Sequence, residues 1–288
     1  MHLLAASSGV WVKTVAGAEV RNVFGVGRPA GWLGMPVIAT SHTWENGKNE
    51  HSHQDTTFCE ALLGEMGDVS RVLMPADYNS TLASLPEVWQ RRGEITCMVI
   101  PKRDRPCYFT SDQAEQLARD GAVVLRETAG ENPVLLMANG SYQLGEALRA
   151  AERLADRGVG ARVVYIQEPG RFRYPRDCWE QPVISPIEQQ QALFPDGMRH
   201  RIALTHMRPE VFRGHLWPLL PDVRQTAVLG YINRGGTLDE PGMLFINRCT
   251  WAHALQALSV IRGEPLNGWL SDDEVAAVEE RGNPRVLV

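Results

Sequence analysis

The chain has 288 residues, 44% of them hydrophobic and 22% charged, with a formal net charge of −5. That length builds one large or two ordinary domains with real cores. The acidic balance and the lack of any Lys/Arg run exclude a nucleic-acid binder, and no apolar run approaches the ~18 residues that cross a bilayer, so no membrane partner is expected.

The five cysteines, Cys59, Cys97, Cys107, Cys178 and Cys249, are scattered, and none forms a Cys-x-x-Cys pair. They suit reduced thiols in a cytoplasmic protein. Met1 to Ala18 has a short apolar stretch and an Ala16-Gly17-Ala18. It lacks a positive leading region and is interrupted by Ser7, Ser8 and Gly9, so it does not read as a signal peptide.

Residues 1–34 have weak periodicity and no clear caps. They read as the broken beginning of a unit. From Met35 the pattern predicts strands over 35–41, 69–74 and 95–100, with helices over 56–66 and 79–92 between them. Asn79-Ser80 supplies capping residues for the second helix. Continuous apolar strands alternating with helices predict a parallel sheet covered on both faces. A boundary is expected near Ala129-Gly130-Glu131-Asn132-Pro133, after which the alternation restarts. Strands are predicted over 134–138, 162–166, 201–205 and 226–231, and helices over 142–157, 209–219 and 251–261. In the tail, 271–282, Ser271 and Glu274 form a capping box. The expected fold is α/β, with two three-layer domains on mostly parallel sheets, over residues 1–128 and 133–288.

Thr40 to Asp55 stands apart from this background. It packs three histidines, a lysine, two asparagines, two glutamates and an aspartate into a loop after a strand. α/β proteins place their chemistry on such loops, and no packing need explains so many acid, base and amide groups together.

Those residues carry a resemblance. Ser41-His42-Thr43-Trp44, Asn49 and Ser52-His53-Gln54-Asp55 resemble the phosphoketolases, which are thiamine-diphosphate enzymes. The likeness continues through Val69-Ser70-Arg71-Val72-Leu73-Met74-Pro75-Ala76-Asp77 and Lys102. It extends to Gly230-Tyr231, Gly236-Thr237 and Asn247-Arg248-Cys249-Thr250-Trp251. The resemblance implies a transketolase-like architecture: the back part of a pyrimidine-binding domain followed by the family's C-terminal domain. Phosphoketolases are much longer, and their first domain binds the diphosphate through Mg²⁺ with a Gly-Asp-Gly motif and a later asparagine. This chain has no Gly-Asp-Gly, and Gly67-Asp68-Val69 is a helix–strand turn. The expectation is one part of a split enzyme, or a truncated one.

The family's cofactor attacks a ketose phosphate, the C2–C3 bond is cleaved, and inorganic phosphate carries off an acyl phosphate. That makes it an aldehyde-lyase of carbohydrate metabolism. Protons must move on and off sugar hydroxyls, a task suited to histidine, and a dianion must be held, a task suited to cations. The resemblance implies that His53 is the acid/base, with His42 in a second proton-transfer or orienting role. Asn49, Lys48, Gln54 and Lys102 would bind substrate, Lys102 near its phosphate end. Lys48 stands where the family has histidine, and Glu45, Glu50 and His51 also depart from the family loop. His206 aligns with a family histidine and is read as structural, and Trp44, Tyr142 and Trp89 as packing residues.

Three functions remain. The first is a phosphoketolase-like component completed by a cofactor-binding chain, as a complex or homodimer, using thiamine diphosphate and Mg²⁺ on a sugar phosphate and inorganic phosphate. The second is an inactive portion that acts at most as a dimerisation or binding module. The third is a metal hydrolase with His42, His51, His53 and Asp55 as ligands.

Overall fold

Alternation along the central strands sets the layering. In a computed structural model describing residues 34–39, 43–45, 56–91, 94–234 and 238–288, strand β5 (Glu131–Asn139) sends Val134, Leu136 and Ala138 into one buried cluster. Its Leu135 and Met137 enter another. Strand β6 (Val159–Ile166) divides its residues in the same way, Val163 and Tyr165 against Val164 and Ile166. A strand buried on both faces needs apolar residues at every position, which is how these runs read.

Among the described residues there are two sheets. The first is formed by β1 (Met35–Ala39), β2 (Ser70–Leu73) and β3 (Ile95–Val99), ordered β1-β3-β2 and all parallel, with Ala39 opposite Val99. Helices α1 (Thr57–Gly64) and α2 (Tyr78–Gln90) connect them. Helix α3 (Ser111–Asp120) then leads into β4 (Ala122–Thr128). The second sheet is ordered β4-β6-β5-β7-β8, with β7 at His200–Thr205 and β8 at Thr226–Leu229. It is parallel except for β4, which runs antiparallel to β6. Its helices are α4 (Ser141–Ala155), α5 (Ile187–Leu193), α6 (Pro209–His215), α7 (Glu240–Ile246), α8 (Trp251–Arg262) and α9 (Asp272–Val278). The α/β class with parallel-dominated sheets is as expected.

Several details differ from the sequence reading. The chain changes sheet between Val99 and Ala122, so the boundary expected near residues 128–133 falls inside the second sheet, between β4 and β5. Ala129-Gly130 is a close turn rather than a linker: a Cβ on Gly130 would come within 2.2 Å of Gly160 N. Helix α2 is capped by Asp77, with Ser80 completing the box, rather than by Asn79-Ser80. The Ser271–Glu274 box at α9 is present. The helix expected over 209–219 stops at His215 and resumes as a single 3₁₀ turn, Trp217–Leu219. Residues 1–33 lie outside the described residues.

The two sheets share their cores. One cluster joins Trp44, Ala76 and Phe109 to the α4 side of the second sheet. The other joins Leu62, Val72 and Cys97 to Leu135, Met137 and Phe212. Two buried ionic groups reinforce the junction. Arg71 on β2 grips Glu168, after β6, with Nε–Oε1 at 2.5 Å and Nη2–Oε2 at 2.7 Å. Burial alone would push the Glu168 carboxyl up, but the Arg71 guanidinium, by charge and hydrogen bonds, holds it below its usual range. Glu180 is fully buried between Arg173 and Arg176 and also accepts the Gly67 N–H at 2.7 Å. Burial acts against its ionisation. Hydrogen bonds from Arg176 and Gly67 and the Arg173 charge outweigh that and hold it at about 2.

Removing one partner of a buried pair typically costs about 3–5 kcal/mol, so Glu180→Gln should lower the urea midpoint clearly at pH 7. Because the folded-state value is depressed, the Glu180 contribution is complete above about 4.5 and is lost as pH falls toward about 2. The gap between wild type and variant should therefore close over that window. A gap that stays constant would show that the carboxylate is not what holds these arginines.

Candidate functional site

Parallel strands put their C-terminal ends on one edge, and in open α/β sheets ligands gather there. In the first sheet the polar loop leaves β1 and the 100–110 segment leaves the neighbouring strand β3, with Ile100 N–H donating to Ala39 O at 3.0 Å. Of the residues expected to carry chemistry, His42, Lys48, Asn49, His53 and Gln54 lie outside the described residues, as do His51 and Asp55. Lys102 is described. It is exposed, on the segment beside the loop, and it lines a cavity of about 220 Å³ with Asp77, Tyr78, Thr81 and Arg103 to Arg105.

Both described shoulders of the loop are fastened to the second sheet. On the leading side Trp44 is fully buried, donates its indole N–H to the His206 carbonyl at 3.2 Å, and packs edge-on against Tyr231. Glu45 is buried beside it. Its carboxylate accepts the Lys102 N–H at 2.9 Å on each oxygen, the Arg103 N–H at 3.1 Å and the Tyr142 hydroxyl at 2.6 Å. On the trailing side Arg208, just after β7, donates to Thr56 and Thr57 Oγ1 at 3.1 Å each and to Glu60 Oε2 at 2.5 Å. Its backbone N–H reaches Glu60 Oε1 at 2.7 Å. The segment from His206 to Arg208 thus holds one point on each side of the loop.

The remaining polar groups at this edge do structural work. Asp77 accepts from Ser80 N at 2.8 Å, Tyr108 N at 2.7 Å and Phe109 N at 3.0 Å, which shapes the turn into α2 and the segment after β3. Arg103 pairs with Glu240 at 2.6 Å. Arg105 lies over the Tyr142 ring at 4.0 Å and donates to Ser141 Oγ at 3.0 Å.

His206 is buried, and burial pushes its imidazole down to about 3. It is neutral at physiological pH, in keeping with a structural role. Trp44 and Tyr142 are buried, but Tyr142 does more than pack, since it serves Glu45. The packing role expected for Trp89 is not seen: it is 59% exposed. Ser80, Ser84 and Val88 face inward on α2, and Trp89 follows Val88 by one residue, a turn of about 100° around the helix.

The later motifs are structural too. Gly230 lies so close to the 205–207 segment that a Cβ would meet Met207 O at 2.3 Å. Asn247 Oδ1 accepts the Ile232 and Asn233 N–H groups at 2.9 and 3.2 Å. Thr250 caps α8, and Trp251 N–H donates to Glu146 at 2.7 Å. Gly236 and Thr237 lie outside the described residues.

Among the described residues, no three His, Cys, Asp or Glu side chains are grouped to hold a metal ion. Among them, no helix is long and apolar enough to cross a membrane.

The fold is transketolase-like. Transketolase from Leishmania mexicana superposes with a TM-score of 0.60 at 16% identity, over 81% of this chain and 31% of that one. A split-gene transketolase, described as an inactive β4 tetramer, does so at 0.54 and 18% identity, over 79% of this chain and 68% of that one. In sequence, residues 20–91 match the family model for D-xylulose 5-phosphate/D-fructose 6-phosphate phosphoketolase. A probable phosphoketolase of Schizosaccharomyces pombe is 33% identical over 137 residues, 45% of this chain and 17% of the relative. One from Mycobacterium avium is 26% identical over 227 residues, 74% of this chain and 27% of the relative. The chain is thus similar to the phosphoketolases, and spans only 17% and 27% of these two relatives' lengths.

Two buried histidines should make this scaffold acid-sensitive. Burial holds His206 at about 3 and His253 at about 4, against an ordinary 6.5. The unfolded chain takes up protons below 6.5 that the folded chain refuses, so stability should fall as pH drops from about 6.5 toward about 4. His206→Gln should flatten the urea midpoint's pH dependence over that range; an unchanged slope would mean the imidazole is charged in the folded protein.

Proposed function

We propose that the chain is part of a phosphoketolase-like, thiamine-diphosphate-dependent carbon–carbon lyase of carbohydrate metabolism. It would act in the cytoplasm on a ketose phosphate with inorganic phosphate and yield an acyl phosphate. The observation that carries this reading is the meeting of two segments at one sheet edge. The family-matched loop leaves β1 and the Lys102 segment leaves β3, its register neighbour, and Glu45 ties them together. In this reading His53 moves protons at the reacting carbons and His42 orients or relays. Asn49, Lys48 and Gln54 hold the sugar, and Lys102 holds the phosphate.

The clamp for Mg²⁺ and the diphosphate is assigned to polypeptide outside the described residues. The active unit would be a complex with a cofactor-binding chain, or a homodimer completed by one. The short span of the relatives' length supports this, as does the likeness to a split-gene transketolase. The second reading, an inactive module that binds or dimerises, draws on the same coverage and on the inactivity of that β4 tetramer.

Expression with a cofactor-binding domain of the family separates the two. The completed complex should form acyl phosphate from a ketose phosphate and inorganic phosphate, trapped as the hydroxamate. His53→Ala should lower kcat by ~10²–10⁴-fold, the usual contribution of an acid–base group. Lys102→Ala should mainly raise KM, because it removes a contact made in ground and transition states alike. A fully active His53→Ala complex would defeat the assignment. Without the second domain, calorimetry with Mg²⁺ should find weak or no thiamine diphosphate binding, and micromolar binding would demand a diphosphate site within this chain.

A further inference from the structure

The segment carrying Lys102 has no regular structure of its own between Val99 and Ser111. Side chains hold its backbone. Glu45 takes the Lys102 N–H on both carboxylate oxygens and the Arg103 N–H on Oε1. The same Oε1 accepts the Tyr142 hydroxyl, which comes from the first turn of α4 in the second sheet's half of the chain. A few residues on, Arg105 is moored to that turn as well, through its stack on the Tyr142 ring and its bond to Ser141 Oγ.

Lys102 differs from its neighbours in one respect. Arg103 and Arg105 are paired with Glu240, whereas the Lys102 side chain is exposed and has no carboxylate partner among the described residues. A long exposed side chain without a partner samples many rotamers, so the place of its charge follows its backbone. The backbone in turn follows Glu45. A buried carboxylate must keep its donors, and Tyr142 supplies the donor that ties Glu45 to the second sheet's half.

We infer that Tyr142 is a positioning residue for Lys102, acting through the Glu45 carboxylate, so that the second half of the chain sets where the cation at the first sheet's edge stands. The claim about the backbone is independent of any reaction; its consequence for substrate rests on the function proposed above.

Amide hydrogen exchange on the full chain tests the first part, read on peptides covering residues 101–105 with β5 peptides as reference. Tyr142→Phe keeps the ring and its stack on Arg105 and removes only the hydroxyl. Exchange at Lys102 and Arg103 should rise about tenfold, as expected for losing a hydrogen bond to a charged group, while β5 is unchanged. Glu45→Gln should give the same local rise, and the double variant no more than the larger single effect. In the completed enzyme Tyr142→Phe should raise KM for the ketose phosphate about tenfold with kcat within about twofold, and should add nothing in a Lys102→Ala background. Unchanged exchange at 101–105, an equal rise in β5, or a KM effect that persists without Lys102 would each overturn the inference. A local rise in a complex with no turnover would sustain the backbone claim and remove the functional reading instead.

Discussion

The burial of Glu45 is the constraint on which the arrangement depends. A carboxylate taken out of water has to be met by donors, because leaving it unpaired costs far more than an ordinary hydrogen bond returns. Here the donors come from two separate elements: the backbone after β3 and the hydroxyl on α4. Together they supply the donors that meet the carboxylate. Trp44, its neighbour, adds a large apolar surface that leaves water by packing on Tyr231 and under the His206 carbonyl. One dipeptide therefore joins the two sheets, and the polar loop that follows begins from a fixed point. Arg208 does the equivalent on the far side with Thr56, Thr57 and Glu60.

The strands were legible because burial on both faces leaves a plain signature. β2, β3, β5 and β7 read as apolar runs of the right length, and their pairing is parallel as the interleaved helices required. The edge strand β4 lacks that signature. Val-Val-Leu gives way there to Arg126 and Glu127, the ladder shifts register between Val124 and Arg126, and the following Ala-Gly resembles a linker. Helix α3 is hidden by its polar composition, although Thr110 and Gln113 form a capping box and Gly121 closes the helix at φ +79°. Helices α5 and α7 are each only 7 residues long and carry little periodicity. At the site, the chemistry-bearing loop was visible as a concentration of residue types. Its fastenings were not. Glu45 and Tyr142 are 97 positions apart and Arg208 and Glu60 are 148 apart, and nothing local marks such pairs.

The resemblance to phosphoketolases mixes two kinds of residue, and the structure separates them. Asp77, Gly230, Asn247 and Thr250 carry the family likeness, yet each is occupied in holding backbone. Asp77 orders two turns, Gly230 permits the close pass over Met207, Asn247 binds two amides after β8, and Thr250 caps α8. These positions are explained by folding alone. The loop between Glu45 and Thr56 is different in kind in its sequence, which concentrates histidine, lysine and amide side chains.

A consequence concerns where this polypeptide can be divided. A joint near residues 128–133 would separate β4 from β5, yet both pair with β6. A joint between the sheets would leave Leu62, Val72 and Cys97 without the Leu135, Met137 and Phe212 they pack against, and would strip Glu168 from Arg71 and Glu180 from Gly67. Exposing apolar faces of that extent while stranding buried charges is doubly unfavourable. Among the described residues, the first sheet has three strands and keeps only the small cluster of Leu73, Val88 and Met98 outside the shared cores. The two sheets therefore act as one folding unit.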